Sequence, residues 1–289
     1  MATYFIILGF PSLQKLHLLL FFVVLTIYLL TLAGHTLIIL LVRVDSRLHT
    51  PMYFYLSNFS FLEIWYTSNI IPKMLKMLKV FLGNDKSITY TGCITQLYFF
   101  MSLATAECFI LAIMACDRYL AICHPLQYST LMNNRVCLQL SLCSWVGAFL
   151  VIIPPLISLC KLSFCGPNEI NHFFCDVSPL LKLSCVDPHE AETVDFVVAT
   201  GVLVSSIVPV VVSYALIIVT ILKMPSATGR QKAFSTCGSH LVVVSVFFGT
   251  LTFMYARPAS LDSVDFNKVL SIFIVLSVCS FMNRQIENC

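Results

Sequence analysis

Charge is what this sequence lacks most. Only 11% of its 289 residues are Asp, Glu, Lys or Arg, whereas a soluble domain carries roughly a quarter. Hydrophobic residues make up 58% and the mean hydropathy is +0.90, so the chain is read as a membrane protein. Other absences narrow the class. The net charge of +3 is small and dispersed, with no acidic or basic tail, and gives no basis for a nucleic-acid partner. Polar low-complexity tracts, fixed-period repeats and Gly/Ser linkers are missing, which predicts one continuous membrane domain over residues 1–289. The opening "MATYFIILGFPSLQKLHLLL" has neither the basic start nor the small-residue cleavage site of a secretory signal, so the first apolar helix is expected to be an uncleaved anchor. No nucleophile elbow, metal-binding helix motif or phosphate loop is present, which argues against an enzyme.

What is present is a series of long apolar runs. A membrane-crossing helix needs about 20 such residues. Spans are predicted at Leu19–Val42, Tyr53–Leu75, Cys93–Tyr119, Cys137–Ser158, Thr193–Leu222 and Cys237–Tyr255. A seventh run, Val269–Met282, is short: its 14 residues reach about 21 Å against a hydrocarbon core of about 30 Å. The expected fold is an all-α, seven-helix bundle with a short last helix.

Lysine and arginine do not orient this bundle, because eight lie on the Asp117 side and nine on the other. Cysteines orient it better. Most of the thirteen fall in apolar runs, but Cys160, Cys165, Cys175 and Cys185 share one polar stretch, as expected where disulfides persist. That stretch is therefore placed outside the cell, and Asp117 and Arg118, one crossing away, inside it.

The stretch "MACDRYLAICHPLQY", Met114–Tyr128, sets a fixed charge pair at the end of an oily helix. An adjacent acid and base there can form a two-state latch, or serve as an interfacial stop with the arginine reaching to the headgroups. Three further blocks accompany it in order: "LHTPMYFYLSNFSFLEIWYTS" (Leu48–Ser68), "SY" (Ser213, Tyr214) and "KAFSTCGSHL" (Lys232–Leu241). Together the four blocks resemble the vertebrate olfactory receptors, a branch of the rhodopsin-like G-protein-coupled receptors, over roughly residues 5–272.

That resemblance implies a plasma-membrane receptor with its N-terminus outside, a small volatile organic ligand, a stimulatory G protein raising cyclic AMP, surrounding lipid and no cofactor. Arg118 becomes the switch residue, held by Asp117 at rest. Tyr119, Tyr214, Lys232 and His240 are the other moving parts. Cys93 is expected to bridge Cys175, with Cys165 bridging Cys185 inside a second outer loop at 159–192, although the sequence alone permits three pairings of four cysteines. His172 and Cys175 have loose metal-ligand spacing, but no metal is expected without further ligands. Helical spacing and resemblance nominate Phe100, Met101, Ala104 and Thr105, then Val198 and Val202, then Phe248, Thr252 and Tyr255 as a ligand pocket. Glu63 and Glu107 form an intramembrane polar cluster, where two nearby carboxylates call for a bound cation or a shared proton. The same pair underlies the rival reading, an ion-coupled transporter. Against that reading, no inverted repeat is found.

The chain also departs from the family. It reads "SFMNRQIENC" at its end where an Asn-Pro-x-x-Tyr block is expected, and Tyr214 is then predicted to lack the helix-seven tyrosine that the resemblance has it meet on activation. His35, Cys116 and Phe248 replace the expected asparagine, tyrosine and tyrosine. The sole glycosylation sequon, Asn58–Ser60, falls inside the second span. Impaired folding and signalling are the expected result.

Overall fold

The computed structural model describes residues 4–8, 17–79, 87–165 and 168–255. Helices dominate, because in a bilayer each backbone N–H and C=O must be satisfied within its own segment. Helix α1 runs His17–Val44, α2 Pro51–Lys79, α3 Tyr90–Cys123, α8 His189–Lys223 and α9 Ala227–Tyr255. The fourth crossing consists of α5 (Asn134–Val151) and α6 (Ile153–Cys160). Two short helices, α4 (Pro125–Leu131) and α7 (Val177–Leu181), lie in the connections. Each of the six predicted spans up to Tyr255 falls on this helical framework. The seventh run, Val269–Met282, lies outside the described residues. So does the departing C-terminal block.

Local chemistry explains several boundaries. Pro51 and Pro125 open their helices, where a missing N–H costs nothing. Thr89 caps α3 by accepting from the Gly92 N–H at 3.2 Å, and Asn133 caps α5 by accepting from Val136 at 3.1 Å. The predicted span Cys137–Ser158 is broken at Ile152, because Pro154 and Pro155 remove two backbone donors. Four of the described stretches are long and apolar enough to cross a membrane: Leu18–Val44, Tyr90–Cys123, Asn134–Cys160 and His189–Lys223.

Helix α3 is the axis of the bundle. It packs against α2, α5 and α8 and buries residues along its whole length, from Cys93 to Asp117. The outward faces of α1, α5 and α8 expose leucine, valine and phenylalanine, including Leu30, Leu142 and Val211, as a lipid-facing surface requires.

One feature goes beyond an all-helical expectation. Strand β1 (Tyr4–Ile7) lies between β2 (Ser87–Thr89), antiparallel, and β3 (Glu169–Ile170), parallel. This small sheet joins the N-terminal segment to two outer loops. Phe5 is fully buried there in a second core with Leu97, Phe164, Ile170 and Leu180.

Candidate functional site

Three polar assemblies line the interior of the bundle, one at each end and one midway. At the outer end, Cys93 is joined to Cys175 and Cys165 to Cys185, with Cα atoms 5.4 and 5.5 Å apart. Gln96, one turn below Cys93, strengthens the first tie. Its Nε2 donates to the Asn69 carbonyl at 3.0 Å, and Asn69 Nδ2 returns a bond to the Gln96 carbonyl at 3.1 Å. The Cys175 N–H donates to Gln96 Oε1 at 3.4 Å. Thus α2, α3 and the outer loop meet at one amide that sequence reading missed. His172 stacks on Phe173 and packs edge-on to Phe174, and the Cys175 sulfur is engaged in its bridge.

Below this lid is a cavity of about 90 Å³ between α3, α8, α9 and the outer loop. Phe100, Met101, Ala104, Thr105, Val198 and Val202 line it, each a predicted pocket residue. The α9 prediction is corrected by one residue. Phe247 and Leu251 face the cavity, while Phe248 is buried in the core against Phe247, and Thr252 is exposed. One residue turns a helix by about 100°, and α9 is apolar on several faces, so spacing alone could not set its rotation. The Tyr255 side chain lies outside the described residues. The sequence also gave no notice of Phe174, Asp176 and Asp195, which stand in the same wall.

Midway, Glu63 on α2 and Glu107 on α3 are each 1% exposed and interact with each other. Glu63 Oε2 and Glu107 Oε1 have no hydrogen-bond partner among the described residues. Glu107 also forms part of the cavity wall. Asn58 is occupied inside the bundle, accepting from Ser141 Oγ at 3.0 Å.

At the inner end, Arg118 Nη2 donates to Asp117 Oδ2 at 2.9 Å, with Asp117 fully buried and Arg118 11% exposed. The second carboxylate oxygen accepts from the Tyr128 hydroxyl at 2.8 Å. Asp117 is therefore clamped by its neighbour on α3 and by a tyrosine on α4. Tyr119 turns away and bonds to His124 at 3.0 Å. On the other side, the Tyr214 hydroxyl is hydrogen-bonded to His240 Nδ1, with the rings stacked. The helix-seven partner that Tyr214 is expected to lack falls outside the described residues; the bond it makes here is to His240 of α9. Cys116, in place of the expected tyrosine, accepts from Ser213 Oγ at 3.7 Å. Lys232 lies on α9, its side chain outside the described set.

A lidded cavity above a buried, hydrogen-bonded charge pair, on shared apolar helices, is an arrangement that suits a multi-pass membrane receptor. A family model described as olfactory receptor matches residues 24–283. Olfactory receptor 226 of Rattus norvegicus is 47% identical over 96% of this chain and 85% of its own length. Olfactory receptor 6A2 of Homo sapiens is 48% identical over 95% and 84%, and olfactory receptor 6B9 of Mus musculus 48% over 92% and 84%. The chain belongs to the olfactory receptor family, within the G-protein-coupled receptors.

Proposed function

We propose that this chain is a plasma-membrane odorant receptor that binds a small, mostly apolar volatile ligand in the outer cavity and activates a stimulatory G protein, raising cyclic AMP. Its N-terminal segment faces outward with the disulfide-tied loops. One observation carries the reading: the helices that wall the cavity, α3, α8 and α9, also carry Arg118, Tyr214 and His240 at the inner end. A ligand that prefers one arrangement of these helices shifts the inner assemblies to the same extent, because a conformational equilibrium moves only by the difference in affinity for its two states. In the resting state Asp117, itself held by Tyr128, restrains Arg118. In the active state α9 moves out, and Arg118 is freed toward the G protein.

Arg118→Ala is the direct test. Odorant-driven cyclic AMP should vanish in cells while surface staining stays near that of the unaltered chain. An unchanged response would refute the switch. Ion flux in liposomes containing the purified chain would instead support the transporter reading based on Glu63 and Glu107.

A further inference from the structure

The cavity is apolar along most of its wall, yet its charge has one sign. Asp176, Asp195 and Glu107 line it, and no lysine, arginine or histidine is found among its described lining residues. Asp176 already accepts a hydrogen bond from the Val177 N–H at 2.9 Å, capping α7. Asp195 differs: its Oδ1 is shut off from solvent and has no hydrogen-bond partner among the described residues. Asp195 and Asp176 also act on each other electrostatically, a like-charge pair that a cation between them would relieve.

Two independent features point to a ligand rather than a solvated acidic rim. Glu107, only 1% exposed, lines the same cavity with Oε1 unpartnered, and a buried polar atom without a partner is costly unless a guest supplies one. Four aromatic residues, Tyr66, Phe100, Phe174 and Phe247, also stand in the wall. Tyr66 stacks on Phe100 at 5.4 Å between ring centroids, and Phe100 meets Phe174 at 4.7 Å. Ring faces attract cations, most strongly where water is excluded. Carboxylates with aromatic faces and no competing cation suit one chemical group, a protonated amine.

We propose that this cavity selects a small aliphatic amine in its ammonium form, with the nitrogen at Asp195 beside Asp176 and the carbon chain running toward Val202, Phe247 and Leu251. The assignment rests on the odorant-receptor reading above and specifies its ligand class. Length follows from the helix: Asp195 and Val202 are seven residues apart on α8, about 10 Å, which matches a chain of some six carbons. Carboxylic acids of the same length are excluded by repulsion. Alcohols and aldehydes keep the apolar contacts and lose the ion pair.

The experiment compares hexylamine, hexan-1-ol, hexanal and hexanoate at neutral pH as stabilisers of the purified full chain in lipid nanodiscs, read as the shift in unfolding temperature with ligand concentration. Hexylamine should bind most tightly and hexanoate not at all. Asp195→Asn should weaken hexylamine by at least about tenfold, the usual loss for a hydrogen bond to a charged group, while leaving hexan-1-ol affinity within about twofold. Asp195→Glu should restore part of the loss. Equal binding of the alcohol and the amine, or an amine affinity unmoved by Asp195→Asn, overturns the assignment and needs no variant that folds poorly, since the first comparison uses the native chain. Failure of the receptor reading looks different: hexylamine binds to the purified chain, yet no odorant raises cyclic AMP in cells that display it.

Discussion

Tyr128→Phe is the sharpest perturbation of the inner latch, because it removes one oxygen and keeps the ring. The tyrosine donates to Asp117 Oδ1 at 2.8 Å, while Arg118 holds Oδ2 at 2.9 Å. Burial first, and the Asp117 charge next, push the Tyr128 phenol above its ordinary range. It therefore stays a protonated donor at every physiological pH, and the substitution deletes a donor rather than a charge. A hydrogen bond to a charged group contributes about 1.5–3 kcal/mol. Tyr128 is half-buried, so the lower end applies, about 1.5 kcal/mol, or roughly tenfold in an equilibrium constant. If the bond exists only in the resting arrangement, the active population without ligand rises about tenfold. Cyclic AMP in unstimulated cells, divided by surface staining, measures that population. Asp117→Asn should raise it as well, and the double variant should fall short of the sum of the two, since both act on one cluster. Basal signal unchanged at equal surface density would mean that the Tyr128 bond survives activation, and would refute the latch.

The remaining expectations concern the same three assemblies. Serine in place of Cys93 or Cys175 should cost about 2–5 kcal/mol and hold the chain inside the cell, where surface staining would reveal its loss. Gln96→Leu strips bonds from the Asn69 carbonyl and the Cys175 N–H and should cost about 1–3 kcal/mol, seen as a lower unfolding temperature with both disulfides intact. His240→Phe keeps the ring stack on Tyr214 but removes its hydrogen-bond partner. It should change odorant potency without changing surface display, and an unaltered dose–response curve would show that the pair is only packing.

The helices themselves are written in the chain. Whether a segment enters a bilayer depends on its own summed apolarity, a local property, which marks four stretches outright; flanking turn and charge signals placed the other two spans up to Tyr255 before any fold was known. The charge pair Asp117 and Arg118, adjacent in sequence, was legible because it too is local. Family blocks added the cysteine pairing, which spacing left open among three arrangements. Partnerships across helices were not legible. Tyr128 reaches Asp117 only because Pro125 starts a new helix after α3 ends, and Tyr214 meets His240 across 26 residues. The face that each helix turns inward was equally hidden, since a segment apolar on all sides carries no amphipathic stripe to mark its buried side. That is why Phe247 rather than Phe248 faces the cavity, and why Asp195, one acid at the mouth of an oily helix, shows its place in the wall only once α3, α8 and the bridged loop are packed together. Solvent preference is set residue by residue, but rotation and register are set by packing, and the chemistry of the cavity depends on both.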